Sequence, residues 1–193
     1  MDITLIPDDV FPVQGSGLPR PPGLHVSDIY SDIDRTLNGN PDQWENAAEP
    51  GFLWEDVFSK AWMDRAVARK VPVPKIFIAI HGGIFRPDPF QVDGVWVSPD
   101  GVNLDGVRLE EYKFTWRSST RPPEDNWKWM TQMKAYCHAL GFTEANLRVF
   151  YSNGDYRQNR KPLYQGYRFT FSENELRENW AMLINHAKSR GWL

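Results

Sequence analysis

Apolar side chains along the chain follow two spacings, one typical of helices and one typical of strands. Apolar residues recur every three to four positions in three long segments, which predicts amphipathic helices over residues 52–69, 126–140 and 173–190. Shorter apolar or alternating runs predict five strands, at residues 75–80, 92–98, 107–114, 146–153 and 166–172. The predicted order of these elements is helix, three strands, helix, two strands and helix.

Capping residues define several of the predicted helix ends more closely. Ser27 in "HVSDIYSDIDRTL" is a candidate N-cap for a further, short helix. Gly141 stands where a glycine ends a helix, and Ser172 with Glu175 has the spacing of a capping box. Residues 1–23 are rich in Pro and Gly, which predicts an extended arm. The remaining residues, 24–193, are predicted to form one α/β (α+β) domain.

Composition and charge exclude several classes of protein. The chain has 193 residues and a net charge of -3, which is unlike a protein that coats nucleic acid without specificity. Its single cysteine, Cys137, cannot form a disulfide framework or an iron-sulfur cluster within one chain. The N-terminus lacks the pattern of a signal peptide, and no apolar stretch is long enough to span a bilayer. These features predict a soluble cytoplasmic protein without a membrane partner.

Candidate chemistry lies on the strand predicted at 107–114. Alternation places Glu111 and Lys113 on the same face as Leu109, where burying charged groups is costly unless they pair or bind something. Asp100 ends the preceding strand, and a hairpin through "GVNLDG" can bring it opposite Glu111. Two adjacent carboxylates repel each other, and a divalent cation such as Mg²⁺ or Mn²⁺ removes that repulsion. The alternative is a solvated acidic hairpin with a surface Glu111–Lys113 pair.

Asp105 competes with Asp100 for the role of first acid. It lies only six residues before Glu111, and "LDG" has the composition of a hairpin turn. The sequence therefore favours Asp100.

Three polar residues lie at the rims of two predicted helices. Glu55 borders the apolar stripe of the helix at 52–69, where it is available as a metal ligand or is an ordinary boundary residue. Gln132 and Tyr136 lie one turn apart beside the stripe of the helix at 126–140. They can donate hydrogen bonds to a ligand, or they can be the polar flank of an amphipathic helix.

Together these residues resemble the motifs of the PD-(D/E)XK nuclease superfamily. Pro99–Asp100 resembles the PD element, and Glu111–Tyr112–Lys113 resembles EXK. Glu55 in "GFLWE" resembles the upstream helix motif, and "QMKAY", with Gln132 and Tyr136, resembles the Q-x3-Y motif of the RecB-like and lambda-exonuclease-like (YqaJ-type) branch. The motifs occur in the family's order and span residues 51–136.

The resemblance implies a restriction-endonuclease-like core, which is a central mixed β-sheet flanked by helices. It implies that Glu55, Asp100 and Glu111, with the backbone carbonyl of Tyr112, hold one or two Mg²⁺ or Mn²⁺ ions. Lys113 would orient or activate the attacking water and offset charge on the phosphorane. Gln132 and Tyr136 would contact DNA or position the lysine, and no iron-sulfur cluster is expected.

Arg117 follows the EXK strand, where it could contact the DNA backbone or lie in a solvated loop.

The function implied by the resemblance is a Mg²⁺-dependent DNA nuclease. An exonuclease that acts on DNA ends in phage recombination, repair or replication is favoured by the Q-x3-Y motif. A structure-specific endonuclease, and a catalytically silent DNA-binding or assembly protein with the same fold, are the alternatives. By the same analogy, expected partners are DNA, a single-strand annealing protein and further copies of the chain in a homo-oligomer.

Overall fold

The structure is a computed structural model that describes residues 1–6, 20–39, 84–85, 87–103, 107–156 and 163–193. The strands in these ranges are β1 (Asp2–Ile6), β2 (Ile84–Phe85), β3 (Phe90–Val92), β4 (Val95–Val97), β5 (Gly101–Asn103), β6 (Arg108–Thr115), β7 (Glu144–Tyr151) and β8 (Leu163–Thr170). The helices are α1 (Val26–Asn38), α2 (Trp127–Leu140) and α3 (Glu173–Ser189), with a 3-10 turn at Pro123–Asp125. Within the described ranges, none of the helices combines the length and apolar character needed to cross a membrane.

Among the described residues, the central sheet has six strands in the order β1-β8-β7-β6-β5-β2. Neighbouring strands are antiparallel except β6 and β7, which run parallel. A parallel pair needs a crossover connection, and α2 supplies it between β6 and β7. The predicted fold class, a mixed β-sheet with helices packed against it, is confirmed.

Helix α2 has the boundaries that its capping residues predict. The Asn126 side chain accepts a hydrogen bond from the backbone N–H of Trp129, and Gly141 ends the helix with a left-handed φ of 72°. Its buried residues join the core with those of β6, β7 and β8. Asn126 marks where α2 begins and Gly141 marks where it ends. The helix between them presents Gln132 towards β6.

The first helix begins two residues earlier than the Ser27 cap predicts. His25 is the N-cap, and its backbone N–H donates to Asp28 Oδ2 at 3.0 Å. The prediction of Ser27 as cap is wrong because Asp28, at the third helical position, provides the reciprocal hydrogen bond for His25.

The segment 92–98, which was predicted as a single strand, instead contains the turn and the second strand of a hairpin. Strands β3 and β4 pair around Asp93 and Gly94, whose φ angles are 49° and 79°. Two consecutive residues with positive φ form the tight turn that an Asp-Gly pair favours. The apolar run therefore contains a chain reversal that its hydrophobicity alone conceals.

The N-terminal segment contributes a strand that the Pro/Gly-rich arm assignment does not include. Residues Asp2–Ile6 pair along β8 and form one edge of the central sheet. Five predicted features lie outside the described residues: the helix at 52–69, the strand at 75–80, residues 7–19 of the arm, Glu55 and Asp105.

Helix α1 is joined to both other helices by ion pairs. Asp34 accepts a hydrogen bond from Lys128 of α2 at 2.9 Å. Asp32 Oδ2 lies 2.8 Å from both His186 Nε2 and Arg190 Nε, at the C-terminal end of α3. These contacts fix the position of α1 beside α2.

Asp32 is expected to contribute to the acid sensitivity of folding. The hydrogen bond from His186 holds the pKa of Asp32 below its ordinary value, with a further contribution from Arg190. This stabilisation is present above the unfolded pKa of about 3.9 and is lost as the pH falls through the lower folded pKa. In Asp32→Asn, urea unfolding at pH 2 to 5 should show a shallower loss of stability on acidification. Asp88→Asn, at an exposed site, is the control and should behave like the wild type.

Candidate active site

Strands β5 and β6 bring the two predicted acids of the PD and EXK motifs together. Gly101 pairs with Glu110 in the antiparallel register, so Asp100 is placed opposite Glu111. Asp100 Oδ2 accepts a hydrogen bond from the backbone N–H of Tyr112 at 2.9 Å. The predicted approach of Asp100 to Glu111 is thereby confirmed, but Asp100 immediately precedes strand β5 and does not end the strand before it, as the sequence predicted.

Glu111 and Lys113 form a closely bonded pair at the base of the site. Lys113 Nζ donates to Glu111 Oε1 at 2.5 Å, and the Glu111 side chain is 0% exposed whereas that of Lys113 is 18% exposed. Burial lowers the pKa of Lys113, but the charges of Glu111 and then Asp100 outweigh it and hold the pKa above its ordinary value. Lys113 is therefore an ammonium ion at neutral pH, and the solvated surface pair considered from sequence is excluded by the burial of Glu111.

Gln132 connects this pair to α2. Lys113 Nζ donates to Gln132 Oε1 at 2.9 Å, and Gln132 Nε2 donates to the Tyr136 hydroxyl at 3.3 Å. Burial, followed by the charge of Glu111, raises the pKa of Tyr136 well above its usual value, so its hydroxyl stays protonated. The two motif residues on α2 thus lie in one hydrogen-bonded chain with the lysine of β6.

Tyr30 of α1 also belongs to this hydrogen-bonded network, and it was not among the predicted site residues. Its hydroxyl donates to Gln132 Oε1 at 3.3 Å, across 102 positions of sequence. Burial raises the pKa of Tyr30, while the positive charge of Lys113 opposes the increase. A tyrosine in a short amphipathic helix is typical of a core residue, and no local sequence signal distinguishes Tyr30 from one.

Asp100 and Glu111 act on the same surrounding groups. The charges of both carboxylates raise the pKa values of Lys113, Tyr30 and Tyr136. The two acids and the three side chains on which they act define one partly buried cluster at β6, α1 and α2, termed the pocket. In the ranges that the structure describes, no group of three or more His, Cys, Asp or Glu side chains is placed to hold a metal. The third predicted acid, Glu55, is outside those ranges.

Arg117 lies just beyond the C-terminal end of β6. Its guanidinium stacks over the ring of Trp129 at 5.7 Å from the ring centroid. Trp129 precedes Gln132 by one turn of α2, so this cation lies beside the site.

Glu110, next to Glu111, has a different environment because it points to the opposite face of the sheet. It is fully buried and accepts hydrogen bonds from Asn146 at 2.6 Å and from Arg148 Nε at 2.8 Å. Arg148 is itself only 5% exposed. Glu110 is therefore part of an internal ion pair of the sheet, as its position in the strand alternation indicates.

Comparison with known proteins gives likenesses among solved structures. No protein-family model and no curated protein matches the chain. The structure is similar to a phage-related exonuclease from Haemophilus somnus 129PT, with 10% identity over 85% of this chain and 79% of that one, at a TM-score of 0.46. It is also similar to an alkaline exonuclease from Laribacter hongkongensis, with 16% identity over 84% and 77% of the two chains, at a TM-score of 0.47.

A third similar structure is the Laribacter exonuclease in complex with dAMP. It shares 15% identity over 86% of this chain and 89% of that one, at a TM-score of 0.44. These neighbours are exonucleases, the activity class that the motif resemblance implies. With identities of 16% or less and TM-scores of 0.47 or less, the likeness does not assign an activity to this chain. The function has to be inferred from the site.

Proposed function

We propose that the protein is a Mg²⁺-dependent DNA nuclease whose active site is the pocket between β6 and α2. The observation that carries this proposal is the buried Glu111–Lys113 pair, which adjoins Asp100 and is bonded to Gln132. A buried ion pair contributes little net stability compared with apolar residues of the same size. Such a pair at the edge of a pocket is better explained by chemistry than by folding.

The donor set of the pocket fits a hard divalent cation. The carboxylates of Asp100 and Glu111 share the pocket, and a cation between them offsets their mutual repulsion. These two side chains would hold one or two Mg²⁺ or Mn²⁺ ions, together with Glu55 and the Tyr112 carbonyl. When bound, the ion would neutralise charge on the phosphate and lower the pKa of a water molecule.

Lys113 acts in this proposal as a positive donor, held in place by its hydrogen bonds to Glu111 and Gln132. Two of its three N–H groups are directed to Glu111 and Gln132. The third is available, among the described contacts, to a water or a phosphate oxygen. There the ammonium orients the attacking water and offsets the negative charge that develops on the phosphorane.

Arg117 is assigned to DNA binding and not to the hydrolysis step. Its position over Trp129 places a cation one helical turn from Gln132. Arginine side chains supply many of the phosphate contacts in protein–DNA interfaces. We therefore assign Arg117 to the DNA backbone next to the cleaved bond.

The substrate proposal is that the enzyme cuts DNA from ends. Linear and covalently closed circular duplexes of the same sequence, incubated with Mg²⁺, test this directly. The expected result is loss of the linear DNA with release of mononucleotides and survival of the circle. Cutting of the closed circle would instead assign the same site to an endonuclease.

Gln132→Ala is expected to slow cutting by about tenfold because a freed ammonium group samples several positions. The fold should persist, since Gln132 is only partly buried. Initial rates on labelled linear DNA, with thermal unfolding in parallel, measure both effects. Thr131→Ser, at the neighbouring buried position about 100° around the helix from Gln132, serves as the control and should keep the wild-type rate. An unchanged rate in Gln132→Ala would remove Gln132 from the catalytic arrangement.

A further inference from the structure

Gln132 receives two hydrogen-bond donors on one oxygen, from two different elements of the fold. Lys113 Nζ lies 2.9 Å from Gln132 Oε1, and the Tyr30 hydroxyl lies 3.3 Å from the same atom. The amide nitrogen of Gln132 donates in the other direction, to the Tyr136 hydroxyl. The amide is therefore held at both ends, with its oxygen turned towards β6 and α1.

This orientation of the amide matters for the lysine. If the Gln132 side chain rotated by 180°, its NH₂ group would face the ammonium of Lys113, and two donors would oppose each other. The Tyr30 hydroxyl stabilises the present orientation by a second hydrogen bond to the same oxygen. Among the described contacts, that oxygen would otherwise be held by Lys113 alone.

The position of Tyr30 is itself fixed by contacts along α1. Tyr30 and Asp34 are one helical turn apart, and they contact Gln132 and Lys128, which are one turn apart on α2. Two successive turns of α1 therefore bond to two successive turns of α2. The Asp32 contacts to α3 hold the same helix from its other side.

We propose that Tyr30 is a positioning residue of the active site, which orients the Gln132 amide and through it the ammonium of Lys113. The inference rests on the nuclease function proposed above and adds a component that none of the sequence motifs contains. Tyr30 acts through Gln132 and makes no contact with the reacting atoms. Its effect should therefore appear in kcat and depend on the presence of Gln132.

A double-mutant cycle tests this dependence. Wild type, Tyr30→Phe, Gln132→Ala and the double variant are compared for kcat and KM on linear duplex DNA with Mg²⁺. Tyr30→Phe keeps the ring and removes one hydrogen bond, so kcat should fall about fivefold, with KM changed less than about twofold. In the Gln132→Ala background the same change should have no further effect on kcat. Equal losses in both backgrounds, or a rise in KM at constant kcat, would overturn the proposal.

Tyr167→Phe is the matched control for removal of a tyrosine hydroxyl. Tyr167 is buried in β8, and among the described residues its hydroxyl bonds to Gln165 and Tyr151 but not to Lys113 or Gln132. Its kcat should equal that of the wild type. A loss equal to that of Tyr30→Phe would show a general effect of destabilisation and would overturn the positioning role.

A measurement without DNA separates this proposal from the nuclease function. The side-chain amide signals of Gln132 are assigned in a ¹H–¹⁵N spectrum by their absence from Gln132→Ala. Tyr30→Phe should shift these signals more than Tyr167→Phe does, whether or not the protein cuts DNA. Unchanged signals would overturn the role of Tyr30. A wild-type protein that shows this shift but never cuts DNA would reject the nuclease function alone.

Discussion

Replacing Lys113 with alanine is expected to reduce DNA cutting by about 100- to 1000-fold, the usual effect of removing one preorganised donor to a developing negative charge. The same change leaves the buried carboxylate of Glu111 without its cation, so the free energy of unfolding should fall by about 3 kcal/mol. Circular dichroism and urea unfolding identify the folded fraction, and release of label from linear DNA gives the rate per folded molecule.

Lys113→Arg separates the loss of charge from the loss of geometry. Arginine keeps a cation beside Glu111, so its unfolding free energy should stay close to that of the wild type. The planar guanidinium cannot place one N–H on Gln132 and another in the pocket as the ammonium does, so cutting should remain slow. Wild-type cutting by Lys113→Ala would contradict the assignment of this site.

Glu110 and Glu111 are expected to give opposite results when each is replaced by glutamine. Glu110→Gln removes the buried negative charge that pairs with Arg148, and it should lower the free energy of unfolding by about 3 kcal/mol. The folded molecules should cut DNA at the wild-type rate, because Glu110 faces away from the pocket. Glu111→Gln should reduce cutting by at least about 100-fold, because it removes a proposed metal ligand.

The stability of Glu111→Gln should change less than that of Glu110→Gln. The side chain of Lys113 is 18% exposed, so water and Asp100 can compensate part of its charge, whereas Arg148 is 5% exposed. Urea unfolding and initial rates on the two purified variants measure the contrast. A Glu110→Gln variant that folds normally but does not cut would place Glu110 in the catalytic arrangement, contrary to the structure.

The parts of the fold that were predicted correctly depend on short-range signals. Strand β6 and the hairpin that brings Asp100 to it are local in sequence, and their alternation decides which carboxylate faces which side. The ends of α2 follow from Asn126 and Gly141, whose capping roles depend on neighbouring residues alone. The separate environments of Glu110 and Glu111 follow from the same alternation.

The features that were missed depend on contacts between distant segments. The pairing of β1 with β8 joins two segments that are far apart in sequence, and the Pro/Gly composition of residues 1–23 gives no sign of a strand. Tyr30 reaches Gln132 only because α1 packs beside α2, which no spacing within either helix reveals. The Asp93–Gly94 turn was a local signal that the apolar residues around it obscured.

The proposed nuclease site requires the fold to hold charged side chains at the edge of the hydrophobic core. Glu111 is completely buried, yet it faces a pocket that contains Asp100, Lys113 and two tyrosines. Burying a carboxylate in this way is tolerated because Lys113 bonds to it. In the proposed enzyme, this low-dielectric setting would strengthen the interactions between the charges of the site and a phosphate.

The central claim is tested most directly by the release of acid-soluble nucleotides from labelled linear duplex DNA. Wild type and Glu111→Gln, purified in the same way, are compared with Mg²⁺ and with excess EDTA. We expect release by the wild type with Mg²⁺, none with EDTA, and at least about a 100-fold slower release by Glu111→Gln. Equal release by the two proteins, or release by the wild type in EDTA, would contradict a metal-dependent nuclease centred on Asp100, Glu111 and Lys113.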